Sequence, residues 1–134
     1  MMIYKVQPDN CRVTGYMQED GKEACTCIVS IDKTTCTWDI TGWYTKEGFR
    51  NRGIGTAAMS NTLREVRRVF GEPSKIQYTW NGENEYVLEW MERHFKAVCN
   101  CPLAVQKTAS DDDWDSHIYD LDRDLFLSYF GILS

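Results

Sequence analysis

The chain has 134 residues, of which 43% are hydrophobic and 26% charged, and a formal net charge of −5. These values exclude a disordered or membrane-embedded chain, and the negative balance speaks against a general electrostatic grip on nucleic acid. A chain of this length suits one domain, 1–134, able to bury roughly two-thirds of its unfolded surface.

In chain order, Met2–Val6 reads as a short strand closed by Pro8-Asp9-Asn10, and Val13–Met17 as a second before the turn Glu19-Asp20-Gly21. Ala24–Ile31 is rich in β-formers, turns at Asp32-Lys33, and pairs with Cys36–Thr45 as a hairpin. From Gly53 the period changes: Met59, Leu63, Val66 and Phe70 fall on one helical face, while Ser60, Arg64, Arg67 and Arg68 fall on another. Gly71-Glu72-Pro73 ends that helix, and Lys75–Trp80 is again strand-like. Strand, helix and strand in this span predict a βαβ unit with a right-handed crossover. After Asn81-Gly82, Asn84–Val98 predicts a second helix. Leu103–Lys107 and His117–Leu121 read as closing strands around an acidic loop, Asp111–Asp115, and Asp122–Phe130 as a short terminal helix.

The six cysteines include two Cys-x-Cys pairs, Cys25/Cys27 and Cys99/Cys101. Structural zinc sites favour wider spacing, and alternate residues of a strand share one face, so buried thiols and no metal are expected. No apolar run approaches the ~20 residues needed to cross a bilayer, and MMIYKVQPDN lacks a signal-peptide core. The expectation is a cytoplasmic protein with no membrane partner.

The informative stretch is Arg50-Asn51-Arg52-Gly53-Ile54-Gly55-Thr56, between a strand and a helix. Two glycines allow a sharp turn and a close approach of backbone to a ligand. The first turn of the helix offers unpaired N–H groups and the positive end of its dipole, so the stretch is built to hold phosphate. A Walker loop, which ends in Gly-Lys-Ser/Thr, is absent. A dinucleotide fingerprint is matched formally by Gly53-Ile54-Gly55-Thr56-Ala57-Ala58, but a charged connection intervenes after the strand and antiparallel hairpins come first.

Taken whole, Gly42 to Thr56 resembles the acyl-CoA-binding motif of the GNAT N-acetyltransferase superfamily. Arg50, Gly53 and Gly55 stand at the named positions of its [RQ]-x-x-G-x-[GA] pattern, and Phe49 is the aromatic before them. The likeness runs from about Ala24 to the end of the chain. It implies an α+β fold with a mixed, mostly antiparallel sheet, a central βαβ unit and helices on both faces. The two N-terminal helices usual in the family are reduced or absent here. It further implies that acetyl-CoA is the cosubstrate, bound by Arg50, Asn51, Arg52, Gly53, Ile54, Gly55 and Thr56, with the amides across Arg52 to Thr56 at the pyrophosphate and the strand edge near Tyr44 and Thr45 along the pantetheine. The family's tyrosine on the second helix is replaced by Trp90, which has no hydroxyl proton to give.

Amide formation from a thioester needs a base for the ammonium proton and a way to protonate the leaving thiolate. Asp39, eleven residues before Arg50, stands where some members of the resembled family carry a glutamate base. Tyr119 and Tyr86 are the candidate acids. The resemblance implies an N-acyltransferase that moves an acyl group directly to a primary amine, a small molecule or a protein amine. The acidic loop favours a cationic acceptor. A monomer or homodimer is expected. The alternative is a non-catalytic acyl-CoA-binding or protein-interaction module on the same fold.

Overall fold

The computed structural model describes residues 2–50, 52–80, 85–99 and 117–132, with the backbone alone for 85 and 86. Its strands are β1 (Met2–Pro8), β2 (Arg12–Glu19), β3 (Lys22–Asp32), β4 (Thr37–Thr45), β5 (Lys75–Trp80), β6 (Val98–Cys99) and β7 (His117–Leu121). The helices are α1 (Ile54–Phe70), α2 (Glu85–Phe95) and α3 (Arg123–Tyr129). The strands form one mixed sheet in the order β1-β2-β3-β4-β5-β7-β6, antiparallel except between β4 and β5.

Short-range chemistry sets the turns. Asp9 and Asp32 accept backbone N–H bonds from Cys11 and Thr34, both at 3.0 Å, so each carboxylate closes a turn that replaces ladder pairing. The edge position of β1 tolerates Pro8, which has no N–H to donate. At the other end of the chain Asp122 caps α3 by accepting the Leu125 amide at 3.0 Å, as its residue type favours.

The parallel pair positions everything that follows. Registers run from Thr37↔Lys75 to Ile40↔Tyr78 and then stop, although β4 continues to Thr45 and β5 to Trp80. Beyond Ile40 and Tyr78 the two strands part.

One face of the sheet carries the core, with Val13, Cys27, Val29, Trp38, Ile40 and Ile76 all at 1% exposure or less. Cys25 and Cys27 lie on that buried face, as their spacing predicts. All three helices contact the same face. From α1, Thr62 shares a 3.0 Å hydrogen bond with Tyr4; Trp90 of α2 and Phe130, the C-cap of α3, meet the Trp43 ring. Among the described residues the opposite face presents side chains such as Thr26, Ser30, Asp39, Gln77 and Thr79.

The second helix ends at Phe95, three residues earlier than its periodicity predicts, because Lys96 takes a left-handed conformation (φ 53°). Val98 and Cys99 then pair with Asp120 and Tyr119 as β6. The strand expected over Leu103–Lys107 and the acidic loop Asp111–Asp115 lie outside the described residues. No helix of the described residues is long and apolar enough to cross a membrane.

Candidate functional site

The glycine stretch joins the carboxyl end of β4 to the amino end of α1. Gly53 is the helix N-cap in the left-handed region (φ 75°), and no side chain caps the helix. The first intrahelical bond runs from the Ala57 amide to the Gly53 carbonyl at 3.1 Å. The amides of Ile54, Gly55 and Thr56 precede it and have no intrahelical acceptor. No acidic residue occupies that first turn, so no side chain of the turn itself neutralises the positive end of the dipole.

Gly55 is held by contact. The Trp43 indole N–H donates to its carbonyl at 3.1 Å. A Cβ there would stand 2.9 Å from Thr45 Oγ1 and 3.5 Å from Trp43 Nε1. At Gly53 the opposite holds: nothing lies within 4 Å of the position a Cβ would take, and only the backbone angle demands glycine. That open space belongs to a cavity of about 570 Å³. Its lining joins Arg50 and Gly53–Thr56 on one side to Val87, Trp90 and Arg93 of α2 and Tyr129 of α3 on the other.

The two loop arginines divide. Arg50 lines the cavity; its Nε donates to the Thr45 carbonyl at 3.0 Å and its guanidinium lies 5.8 Å from the Tyr44 ring centre. Arg52 turns away. It makes a two-pronged ion pair with Glu19 of β2, both contacts 3.2 Å, and stands 5.7 Å from the Phe49 ring. Of the other expected ligand residues, Thr45, Ile54 and Thr56 line the cavity, Tyr44 is exposed beside Arg50, and Asn51 lies outside the described residues.

Asp39 lies on the opposite face of β4, one residue before the point where β4 and β5 part. Its carboxylate accepts Gln77 Nε2 at 3.0 Å and Thr79 Oγ1 at 2.8 Å. Burial pushes its pKa above the ordinary aspartate range, and the Gln77 and Thr79 hydrogen bonds pull against that rise. It also borders a second cavity of about 510 Å³, with Ser30, Thr37, Lys75 and Gln77. From Asp39 to Thr45 is about 20 Å of strand at ~3.3 Å per residue. A ligand anchored on the glycine loop therefore needs a long arm to reach the carboxylate.

Tyr119 sits on β7 between Tyr78 and Cys99, and so on the helix-covered face, away from Asp39. Burial first, then the nearby Cys99 and Glu92 charges, raise the pKa of its phenol. It is not among the lining residues of the larger cavity. The side chain of Tyr86 lies outside the described residues.

Sequence reasoning missed Arg93 and Tyr129. Trp90 packs edge-on against Trp43 and Tyr129, each with centroids 5.4 Å apart, so two aromatic rings stand beside Val87 and Arg93 on that side of the cavity. The spacing of Val87, Trp90 and Arg93, three residues apart on α2, was the one available signal that they share a face. Among the described residues no cluster of three or more His, Cys, Asp or Glu has the arrangement to hold a metal ion.

No family model matches the chain, and no curated protein matches it. Solved structures do. Nourseothricin acetyltransferase superposes with a TM-score of 0.61 at 20% identity, over 87% of this chain and 69% of that one. Spermidine N-acetyltransferase from Vibrio cholerae, in complex with CoA and spermine, gives 0.61 at 12% identity, over 89% and 70%. A structure from Desulfovibrio desulfuricans described as a GNAT-family acetyltransferase gives 0.58 at 19%, over 83% and 68%. The fold is that of the GNAT N-acetyltransferases.

Proposed function

We propose that the protein is an acetyl-CoA-dependent N-acyltransferase that passes an acyl group directly to a primary amine. The observation that carries this reading is the glycine turn itself. It combines three amides without helical acceptors, an uncapped helix dipole, Arg50, and open space at Gly53, all facing one cavity. This donor set fits a pyrophosphate. The cavity extends from the turn across Trp43 and Thr45, and the β4–β5 gap beside them leads toward Asp39.

Acetyl-CoA would bring an acyl group activated as a thioester. In the reaction the amine nitrogen bonds to the acyl carbon, the carbon–sulfur bond breaks, one proton leaves the ammonium and one ends on the thiolate. Asp39 receives the ammonium proton, directly or through water. Burial suits it to this, because a raised pKa makes it the stronger base once ionised. Gln77 and Thr79 hold both oxygens and fix the carboxylate beside the gap. The acid is assigned to Tyr119 or Tyr86, with Trp90 unable to serve. A thiol whose pKa resembles the ~8.5 of cysteine leaves tolerably without a strong acid.

For the acceptor, the acidic run Asp111–Asp115 supports a cationic amine. A spermidine acetyltransferase of the same fold, solved with spermine, is consistent with that choice. The test is release of CoA thiol from acetyl-CoA with a panel of polyamines, amino sugars and peptide amines. Amine-dependent release that Asp39→Asn abolishes supports the reading; no release with any amine despite bound acetyl-CoA overturns catalysis.

That last outcome would leave the second reading, a non-catalytic acyl-CoA-binding module. Trp90 favours it, as an indole that packs against two aromatic rings on the cavity wall and brings no hydroxyl there.

A further inference from the structure

Arg93 stands apart from every other arginine that the structure describes. Arg12, Arg52, Arg67, Arg68 and Arg123 are in ion pairs, Arg64 bonds Asn61, and Arg50 bonds the Thr45 carbonyl. Arg93 has neither an ion pair nor a hydrogen bond among the described residues, although Glu89 lies one turn earlier, at the spacing and polarity that favour a Glu–Arg pair. Its side chain instead lines the cavity, on the wall across from the glycine turn. Beside it on that wall, Tyr129 of α3 brings a phenol whose hydroxyl has no hydrogen-bond partner among the described residues.

A guanidinium is a fork of donors matched to phosphate oxygens, and a phenol is a further donor. The cavity thus has anion donors on two walls that belong to different elements: main-chain amides with Arg50 on the β4–α1 side, and Arg93 with Tyr129 on the α2–α3 side.

We propose that the α2–α3 wall is a second anion subsite, in which Arg93 binds a phosphomonoester of the ligand separate from the pyrophosphate held by the glycine turn. Resting on the acyl-CoA reading, this assigns Arg93 to the 3′-phosphate of the adenosine moiety and makes it the residue that distinguishes CoA from 3′-dephospho-CoA. Tyr129 adds a neutral hydrogen bond to the same group. The preference is electrostatic and weakens as salt rises.

The experiment is calorimetric titration of the wild-type protein, Arg93→Gln and Arg93→Lys with CoA and with 3′-dephospho-CoA. An exposed charge-assisted contact is worth roughly 5-fold or more in affinity. Wild type is expected to prefer CoA by about that factor, Arg93→Gln to bind both ligands as wild type binds 3′-dephospho-CoA, and Arg93→Lys to keep part of the preference. Equal binding of the two ligands by wild type overturns the assignment, as does an equal loss for both in Arg93→Gln. In those outcomes CoA still binds and the acyl-CoA reading stands. Binding of neither ligand by wild type overturns both.

Discussion

The indole of Trp43 donates to the carbonyl of Gly55, twelve residues later, at 3.1 Å. That bond ties the carboxyl half of β4 to the first turn of α1, where both flank the opening left by β5. The loop between them is thus clamped at its base. The contact also explains why the second glycine is needed, since a Cβ at Gly55 would meet Thr45 Oγ1 at 2.9 Å.

Gly55→Ala is expected to destabilise the protein by about 1–2 kcal/mol through overpacking against Thr45. Trp43→Phe, which removes the donor and leaves the carbonyl to water, is expected to cost about 1 kcal/mol. Urea unfolding with an unchanged slope measures both.

Gly53→Ala acts differently. The space around it is open, so the penalty is that of holding a left-handed backbone, about 1 kcal/mol. A bulky Gly53→Val fills the space that the ligand needs. It is expected to abolish acetyl-CoA binding while the protein still unfolds cooperatively in a thermal melt.

The two loop arginines are predicted to differ. Arg50→Gln should weaken acetyl-CoA binding roughly 5-fold or more, because it removes a cation from the cavity wall. Arg52→Gln should leave affinity within about 2-fold and cost about 0.5 kcal/mol of stability, since its pair with Glu19 is 47% and 27% exposed and screened by solvent. Equal losses of affinity in the two variants would contradict the division.

Asp39 gives a pH signature. Its folded pKa is raised by burial, so the folded state binds this proton more tightly than the unfolded chain does. The contribution to stability is therefore full below the ordinary aspartate range and is lost as pH rises through the elevated folded value. Asp39→Asn should flatten that part of the stability–pH curve. In turnover the sign reverses, because only the ionised carboxylate accepts a proton. The rate is expected to rise through the same elevated pKa, and in Asp39→Asn to fall about 10²-fold or more with acetyl-CoA affinity unchanged.

Much of the frame was legible in the sequence because its signals are local. Turn residues at Glu19-Asp20-Gly21 and Asp32-Lys33 marked the hairpins, the change of period at Gly53 marked α1, and Gly53 and Gly55 marked the turn proposed to hold an anion. What escaped depends on which faces meet across the chain. The meeting of Trp43, Trp90, Tyr129 and Phe130 brings together β4, α2 and α3, and no periodicity within one element predicts it. The same holds for the Arg52–Glu19 pair, 33 residues apart, which removes from the site a cation that spacing alone assigns to it. The early end of α2 rests on one backbone angle at Lys96, a residue type with no strong preference for it.

The most direct test of the acyltransferase account is a calorimetric titration of the full chain with acetyl-CoA, with NAD for comparison and Gly53→Val as the blocked site. The account predicts saturable acetyl-CoA binding that Gly53→Val abolishes, and no comparable binding of NAD. No acetyl-CoA binding even at millimolar ligand, or equal binding by Gly53→Val, would contradict it and leave the glycine turn a structural feature or a site for another phosphate.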